Sequence, residues 1–399
     1  MTAAAQQAQD WPAQDLLAAV PAELLDPLTP PRWSPERATF EVFSHADVTY
    51  LTEDPDRVFT QSYGDPAAHP FNGFVWASDP PTHGRLRRPI SAPFRPRQVQ
   101  QLQSGIRAAV ADLAVDCAGD GTFDLARFAR RLSNRVICGL LDVDADVEEA
   151  IVDRLLREHA EAMTTAAPPN GEAWRAWAAA QLAAKRARPG RGLIDHLLQV
   201  QAAGYPLTDA EIESDITGMV SAGTDTTAAQ VATTVLWLDR HGQLAAAAAD
   251  QQLRRTAAEE VLRLDPAFPA VRVQSTAPVR FGSLAVPAGQ PVTGWITAAN
   301  RDPAVFGADA GEVDLRRSPN PHLSFVTGRH TCLGASLARA EVDAVLELLP
   351  RLLPGLAADP ADPPRRQLGI VHGIAEARLS YTGTRHGTAV RRDRLGAGR

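Results

Sequence analysis

Between residues 172 and 264 apolar side chains recur every three to four positions, a spacing that predicts helices. Four runs stand out, 172–188, 192–203, 208–240 and 243–264, separated by the breakers PGRG, GYP and HG. From 270 to 292 the pattern changes to valines interleaved with glycine and proline, which predicts strands and turns, and residues 39–42 predict another strand. Residues 300–323 have no period and predict an irregular coil packed on the body. The alanine-rich LAAAAADQQ needs no explanation beyond a plain helix. With no internal repeat and no Ser/Gly linker, a single domain over 26–384 is expected. It would be preceded by a partly ordered segment, 1–25, and followed by a basic, flexible tail, 385–399.

Composition narrows the classes. The chain has 399 residues, of which 45% are hydrophobic, enough for a large core. A formal net charge of −7 excludes a nucleic-acid binder that relies on a dominant basic field. The first residues lack a basic stretch followed by an apolar block, and no run of about 18 apolar residues occurs, so a cytoplasmic protein without a membrane span is expected. Of the three cysteines, Cys117 and Cys138 lie in apolar, helix-like surroundings and read as core thiols.

Cys332 differs. In FVTGRHTCLGASLARAE it stands between a glycine-containing loop and a helix predicted from Leu333, where backbone N–H groups and the helix dipole favour a thiolate. Such a sulfur can be a nucleophile, a metal ligand or a buried structural thiol. A haem ligand in particular needs small residues where the porphyrin approaches and cover from water. Gly328 and Gly334 supply the first and Phe325 the second.

The stretch FVTGRHTCLG resembles the cysteine loop of the cytochrome P450 family, F-x-x-G-x-x-x-C-x-G, and four further elements follow the family's order over residues 39–350. One is SAGTDTTAA, where helical spacing puts Ala222, Gly223, Thr226, Thr227 and Gln230 on one face, extended by Met219. The resemblance implies that this face forms an oxygen pocket, with Thr226 and Asp225 delivering protons. Another is EEVLR, in which Glu260 and Arg263 would form an internal ion pair completed by Arg317, with Arg316 as the alternative, in a folding role. His83 and Arg87 in DPPTHGRLRRPI, together with Arg272 and His330, would bind the haem propionates. One departure is Val326, where the family usually has a small residue. A β-branched side chain disfavours positive φ, so the loop geometry and the tuning of the iron are affected there.

The implied fold is mainly α with a small β region, haem b lying between the long central helix and the helix after the cysteine loop. The implied enzyme is a bacterial haem-thiolate monooxygenase, with Cys332 as the metal ligand. Its pocket would draw on Phe74, Trp76, Met219, Phe268, Ala270, Val271, Ile370 and Val371, within the segments 63–76 and 370–372, and on the region of Met163. A mid-sized apolar or aromatic substrate, such as a secondary metabolite, would be hydroxylated with O2, ring closure or coupling being the other outcomes of the same chemistry. A peroxide-driven peroxygenase and a non-catalytic haem sensor are the alternatives. Electrons from NAD(P)H would arrive through ferredoxin reductase and ferredoxin at a monomeric protein. The docking face would carry Arg85, Arg87, Arg88, Arg95, Arg97, Arg329 and Arg339.

Overall fold

A computed structural model describes residues 8–10, 20–61, 74–144 and 171–382. The expected basic tail, the Met163 region and residues 63–73 of the expected pocket wall lie outside the described residues, as does most of the expected N-terminal segment. The helices are α1 His45–Glu53, α2 Thr82–Ile90, α3 Pro96–Asp116, α4 Leu125–Leu141, α5 Gly171–Ala187 and α6 Leu193–Ala202. They continue as α7 Asp209–Arg240, α8 Leu244–Ala249, α9 Gln251–Leu264, α10 Ile296–Ala299, α11 Pro303–Phe306 and α12 Ala335–Leu352. The main sheet has five strands: β1 Arg32–Ser34, β2 Thr39–Val42, β3 Phe59–Thr60, β4 Ala270–Ser275 and β5 Pro291–Trp295. Their order is β1-β2-β5-β4-β3, with only β2 and β5 parallel. Smaller sheets, one of them joining Thr122–Asp124 to the C-terminal strand Arg378–Ser380, cover the flanks.

The central helix α7 runs for 32 residues from a reciprocal cap. Thr208 Oγ1 accepts from the Glu211 N–H (3.2 Å), and Glu211 accepts from the Thr208 N–H (2.9 Å). The helix expected over 243–264 is two helices. Asp250 Oδ1 accepts from the N–H groups of Gln252 and Leu253, so a new helix starts at Gln251 despite the helix-forming alanines before it. The helix expected from Leu333 begins at Ala335, with Gly334 as its cap, and Cys332 therefore lies in the loop.

Two large apolar bodies result among the described residues, beside a small third cluster around Phe43 and Trp295. The larger is helical, with α4 lying along α7; Phe128 and Leu132 of α4 are fully buried there, each contributing about 1.5–3 kcal/mol. The other is β-rich and gathers Val42, Leu51, Phe59, Val273 and Phe281. Cys117 and Cys138 are buried.

Glu260 and Arg263 meet at 2.8 and 2.7 Å, both fully buried. Arg263 also donates to the carbonyls of Asn300, Ala310 and Glu312, tying the coil at 300–323 to α9. The third member is Arg317, 3.4 Å from Glu260, whereas Arg316 reaches Asp250 at the surface. Removing one partner of such a pair strands a buried charge at a cost of about 3–5 kcal/mol. A second buried pair has no counterpart in the sequence reading. Arg366 grips Asp265 through both guanidinium nitrogens (2.7 and 2.6 Å), and the Trp237 indole N–H donates to the same carboxylate (3.0 Å).

Candidate active site

The cysteine loop is held at both ends by its backbone. The Cys332 N–H donates to the Phe325 carbonyl (2.9 Å), and the chain between them turns through two positive φ angles, +48° at Val326 and +70° at Gly328. At Gly328 a Cβ would come within 2.5 Å of the Thr52 carbonyl oxygen, so α1 requires glycine there for closeness as well as for φ. Beside it the Thr327 and Thr52 hydroxyls share a hydrogen bond of 2.7 Å, and Arg329 donates to Asp54 at 3.1 Å. The loop therefore lies clamped on the C-terminal end of α1.

Cys332 keeps open surface, yet burial among protein atoms raises its thiol pKa. The Gly334 N–H, Arg87, Arg339 and the Ala335 N–H act against that rise and favour the thiolate. A Cβ at Gly334 would meet nothing nearer than the sulfur itself, at 4.0 Å, so the surface over the loop is clear. Phe325 stacks under the Arg339 guanidinium (4.5 Å), which is fixed by two hydrogen bonds to Glu259.

His83 and His330 face each other with ring centroids 4.4 Å apart. Among the described residues neither nitrogen of His330 has a hydrogen-bond partner, nor has Nε2 of His83, and all three atoms are buried. Burial, then His83 and the nearby arginines, push His330 down to about 4; burial and Arg87 lower His83. Arg87 donates to the Thr331 carbonyl. Arg272 is exposed on the opposite side of β4 from the buried Val271 and Val273. Val271 lines a narrow cleft on the cysteine-loop side with Val326, Arg329 and His330.

On α7 the expected common face divides. Ala222 is exposed and Thr226 half-exposed although the helix runs through the core, so this stripe borders open space. Thr226 Oγ1 donates back to the Ala222 carbonyl (2.5 Å), and Asp225 beside it is half-buried. Gly223, by contrast, serves packing: a Cβ there would lie 2.7 Å from Ile137 of α4. Thr227 and Gln230 are buried, and Gln230 accepts from the Ala267 N–H. Helical spacing gives angle without neighbours, which is why these positions looked alike in sequence.

The expected pocket residues also separate. Phe74 is buried, its ring seated directly on Gly218 and edge-on to Trp76. Trp76, Phe268 and Ile370 are exposed, while Met219, Ala270 and Val371 are half-buried. Among the buried acids that sequence reasoning missed are Asp215 on α7 and Glu341 on α12. Asp215 shares the Ala222–Thr226 stripe at i+7 and i+11, the one signal that could have singled it out.

Among the described residues no helix is long and apolar enough to cross a membrane. A sequence profile described as Cytochrome P450 matches residues 250–351. Mycinamicin IV hydroxylase/epoxidase of Micromonospora griseorubida is 35% identical over 298 residues, covering 71% of this chain and 73% of that protein. Erythromycin C-12 hydroxylase of Saccharopolyspora erythraea is 32% identical over 340 residues, covering 79% and 82%. Among solved structures, the post-tailoring hydroxylase HmtN involved in himastatin biosynthesis superposes with a TM-score of 0.79 at 29% identity, covering 90% of this chain and 96% of that one. The loop, the helices around it and these relatives agree: the chain belongs to the cytochrome P450 family and is a monooxygenase of that family.

Proposed function

We propose that this monooxygenase hydroxylates a mid-sized, largely apolar secondary metabolite, with haem b ligated by Cys332. The mycinamicin and erythromycin hydroxylases among its relatives support that substrate class. The residues present fit the cofactor. An accessible sulfur has the Gly334 and Ala335 N–H groups beside it, and three imidazole nitrogens lie buried without partners among the described residues, where carboxylates would find them. His83, His330, Arg87 and Arg272 would hold the propionates, Arg87 by exchanging the Thr331 carbonyl for an anion. When bound, haem supplies the activation of O2, one oxygen atom going to the substrate and one to water.

The chain's own part is positional and protic. With its proton engaged by the Ala222 carbonyl, Thr226 Oγ1 offers lone pairs to the open stripe, where it would accept from a water. Asp225, on the adjoining position, would replenish that water's proton. Phe74, Met219 and Val371 form apolar wall that limits water beside the stripe. This proton-handling pair favours O2 over peroxide as the oxidant and argues against a sensor without turnover.

Electrons would come from a ferredoxin, itself reduced by NAD(P)H through a reductase. The docking face is smaller than the arginine count implies, because Arg85 pairs with Glu211, Arg329 with Asp54 and Arg339 with Glu259. Arg88, Arg95 and Arg97 remain exposed.

The cysteine loop carries this reading. The test is the reduced, carbon monoxide-bound spectrum of the parent and of Cys332→Ala. A far red-shifted Soret band present in the parent and lost in the variant, with helical circular dichroism retained, is expected. A variant that kept the band would refute Cys332 as the ligand.

A further inference from the structure

Asp215 is 2% exposed, and among the described residues neither oxygen of its carboxyl has a hydrogen-bond partner. An unpaired buried carboxyl destabilises the folded chain, so its presence on the central helix calls for a cause other than folding. The Val75 N–H lies near enough to lower its pKa, though outside hydrogen-bond geometry. Burial dominates and pushes the group up to about 8. The other charges that face it offset each other: Glu211, one turn earlier, is paired with Arg85 of α2.

Position supplies the second argument. Asp215, Ala222 and Thr226 lie within about 20° of one line along α7, since seven and eleven residues are close to whole turns. That line borders open space at Ala222 and Thr226. At its far end, Asp215 is covered by the turn Val75–Ala77, with Phe74 seated on Gly218. At its near end, Gly373 closes on Ala229, where an added Cβ would be 3.0 Å away. The stripe is thus bounded at both ends, and a carboxyl terminates one of them. From Asp215 the rise of the helix gives about 10 Å to Ala222 and about 16 Å to Thr226, the length of a mid-sized molecule.

We infer that Asp215 is a substrate-recognition residue, its carboxylate receiving a protonated amine at the end of the substrate remote from Thr226. This rests on the monooxygenase reading of the Thr226 stripe. A neutral hydrogen-bonding group would be served equally by asparagine, which needs no unpaired acid. What aspartate alone offers is a charge, made favourable only when a cation enters with it. The ligand's ammonium displaces the Phe74–Trp76 cover and completes a buried ion pair. Substrates of this enzyme therefore carry a basic nitrogen some 10–16 Å from the oxidised carbon.

The test uses the haem-loaded protein and two probes, 1-octylimidazole and 1-(8-aminooctyl)imidazole. Both report binding through the Soret shift of imidazole on iron, and only the second presents an ammonium to Asp215. The parent should bind the amino probe at least tenfold more tightly relative to the octyl probe, and the ratio should climb between pH 6 and 8 as the carboxyl ionises. Asp215→Asn should bring the ratio near one and remove its pH dependence, with octyl binding unchanged. A parent without preference, or a preference that survives in the variant, overturns the proposal. Should 1-octylimidazole itself give no Soret shift, the failure lies in the monooxygenase reading, and the proposal falls with it. Thermal melting without ligand gives an independent check. Asp215→Asn and Asp215→Leu should melt no lower than the parent; a marked drop in both would reveal a structural partner for the carboxyl and also overturn the assignment.

Discussion

Val326→Gly isolates the one backbone departure in the cysteine loop. At φ +48° an L-residue is strained by about 1–2 kcal/mol, and the β-branched side chain adds to this. Glycine removes the strain but loses more chain entropy on folding, about 0.5–1 kcal/mol. It also gives up a valine that is only half-buried against the β-rich body, worth about 1 kcal/mol if full burial is worth 1.5–3. The three contributions cancel to within about 1 kcal/mol. Val273→Gly is the control: Val273 is 1% exposed in β4, at an ordinary φ, so the same change brings no relief and costs about 3 kcal/mol. For a chain of this length the unfolding entropy is roughly 0.8 kcal/mol/K, so thermal melting should fall by about 1 °C or less for Val326→Gly and by 3–4 °C for the control. Equal losses would refute the argument from strain. The reduction potential of the iron should shift in Val326→Gly alone, because only that change loosens the loop holding the sulfur.

Three further outcomes follow from the site and its surroundings. Burial pushes Glu341 up to about 8 against the Ser133 hydrogen bond, so the stability it confers is full below pH 4.5 and declines as pH rises toward 8. Glu341→Gln should flatten that decline, by a few kcal/mol at most, when melting temperature is followed against pH; an unchanged slope contradicts it. Thr226→Ala should still bind substrate but divert most NAD(P)H to peroxide, a result checked by product formed per NAD(P)H consumed, with an unaltered yield counting against proton delivery. Reversing Arg88 and Arg97 to Glu should slow first-electron transfer from a ferredoxin at low ionic strength and leave it unchanged at high salt; a variant as fast as the parent at low salt moves the docking face elsewhere.

What could be seen in advance depended on how local each signal was. The cysteine loop was legible because its glycines and sulfur lie within ten residues, and Arg317 was found because the resemblance pointed to DLRRSPNPH, which holds only two arginines. Asp265 and Arg366 are 101 positions apart, and no spacing links an acid after one helix to a base in a late strand. Asp250 was hidden by the alanines before it, since propensity favours one long helix and only the cap's hydrogen bonds divide it. Gly223 was assigned to the oxygen face because it stands four positions before Thr227, and sequence does not say that Ile137 lies against it. The arginines of the expected docking face were visible, but Glu211, Asp54 and Glu259, which neutralise three of them, come from distant segments.

The clamp on α1 has a mechanical meaning. Val326 packs on the β-rich body, while Leu333, just after the cysteine, packs on the helical one. The Cys332 sulfur is thus mounted at a joint, with one foot of the loop on each body. The Thr52–Thr327 and Asp54–Arg329 bonds fix the loop to α1 between the two feet. Thr226 stands on α7 of the helical body, so its placement relative to the Cys332 loop is set by how the two bodies seat together.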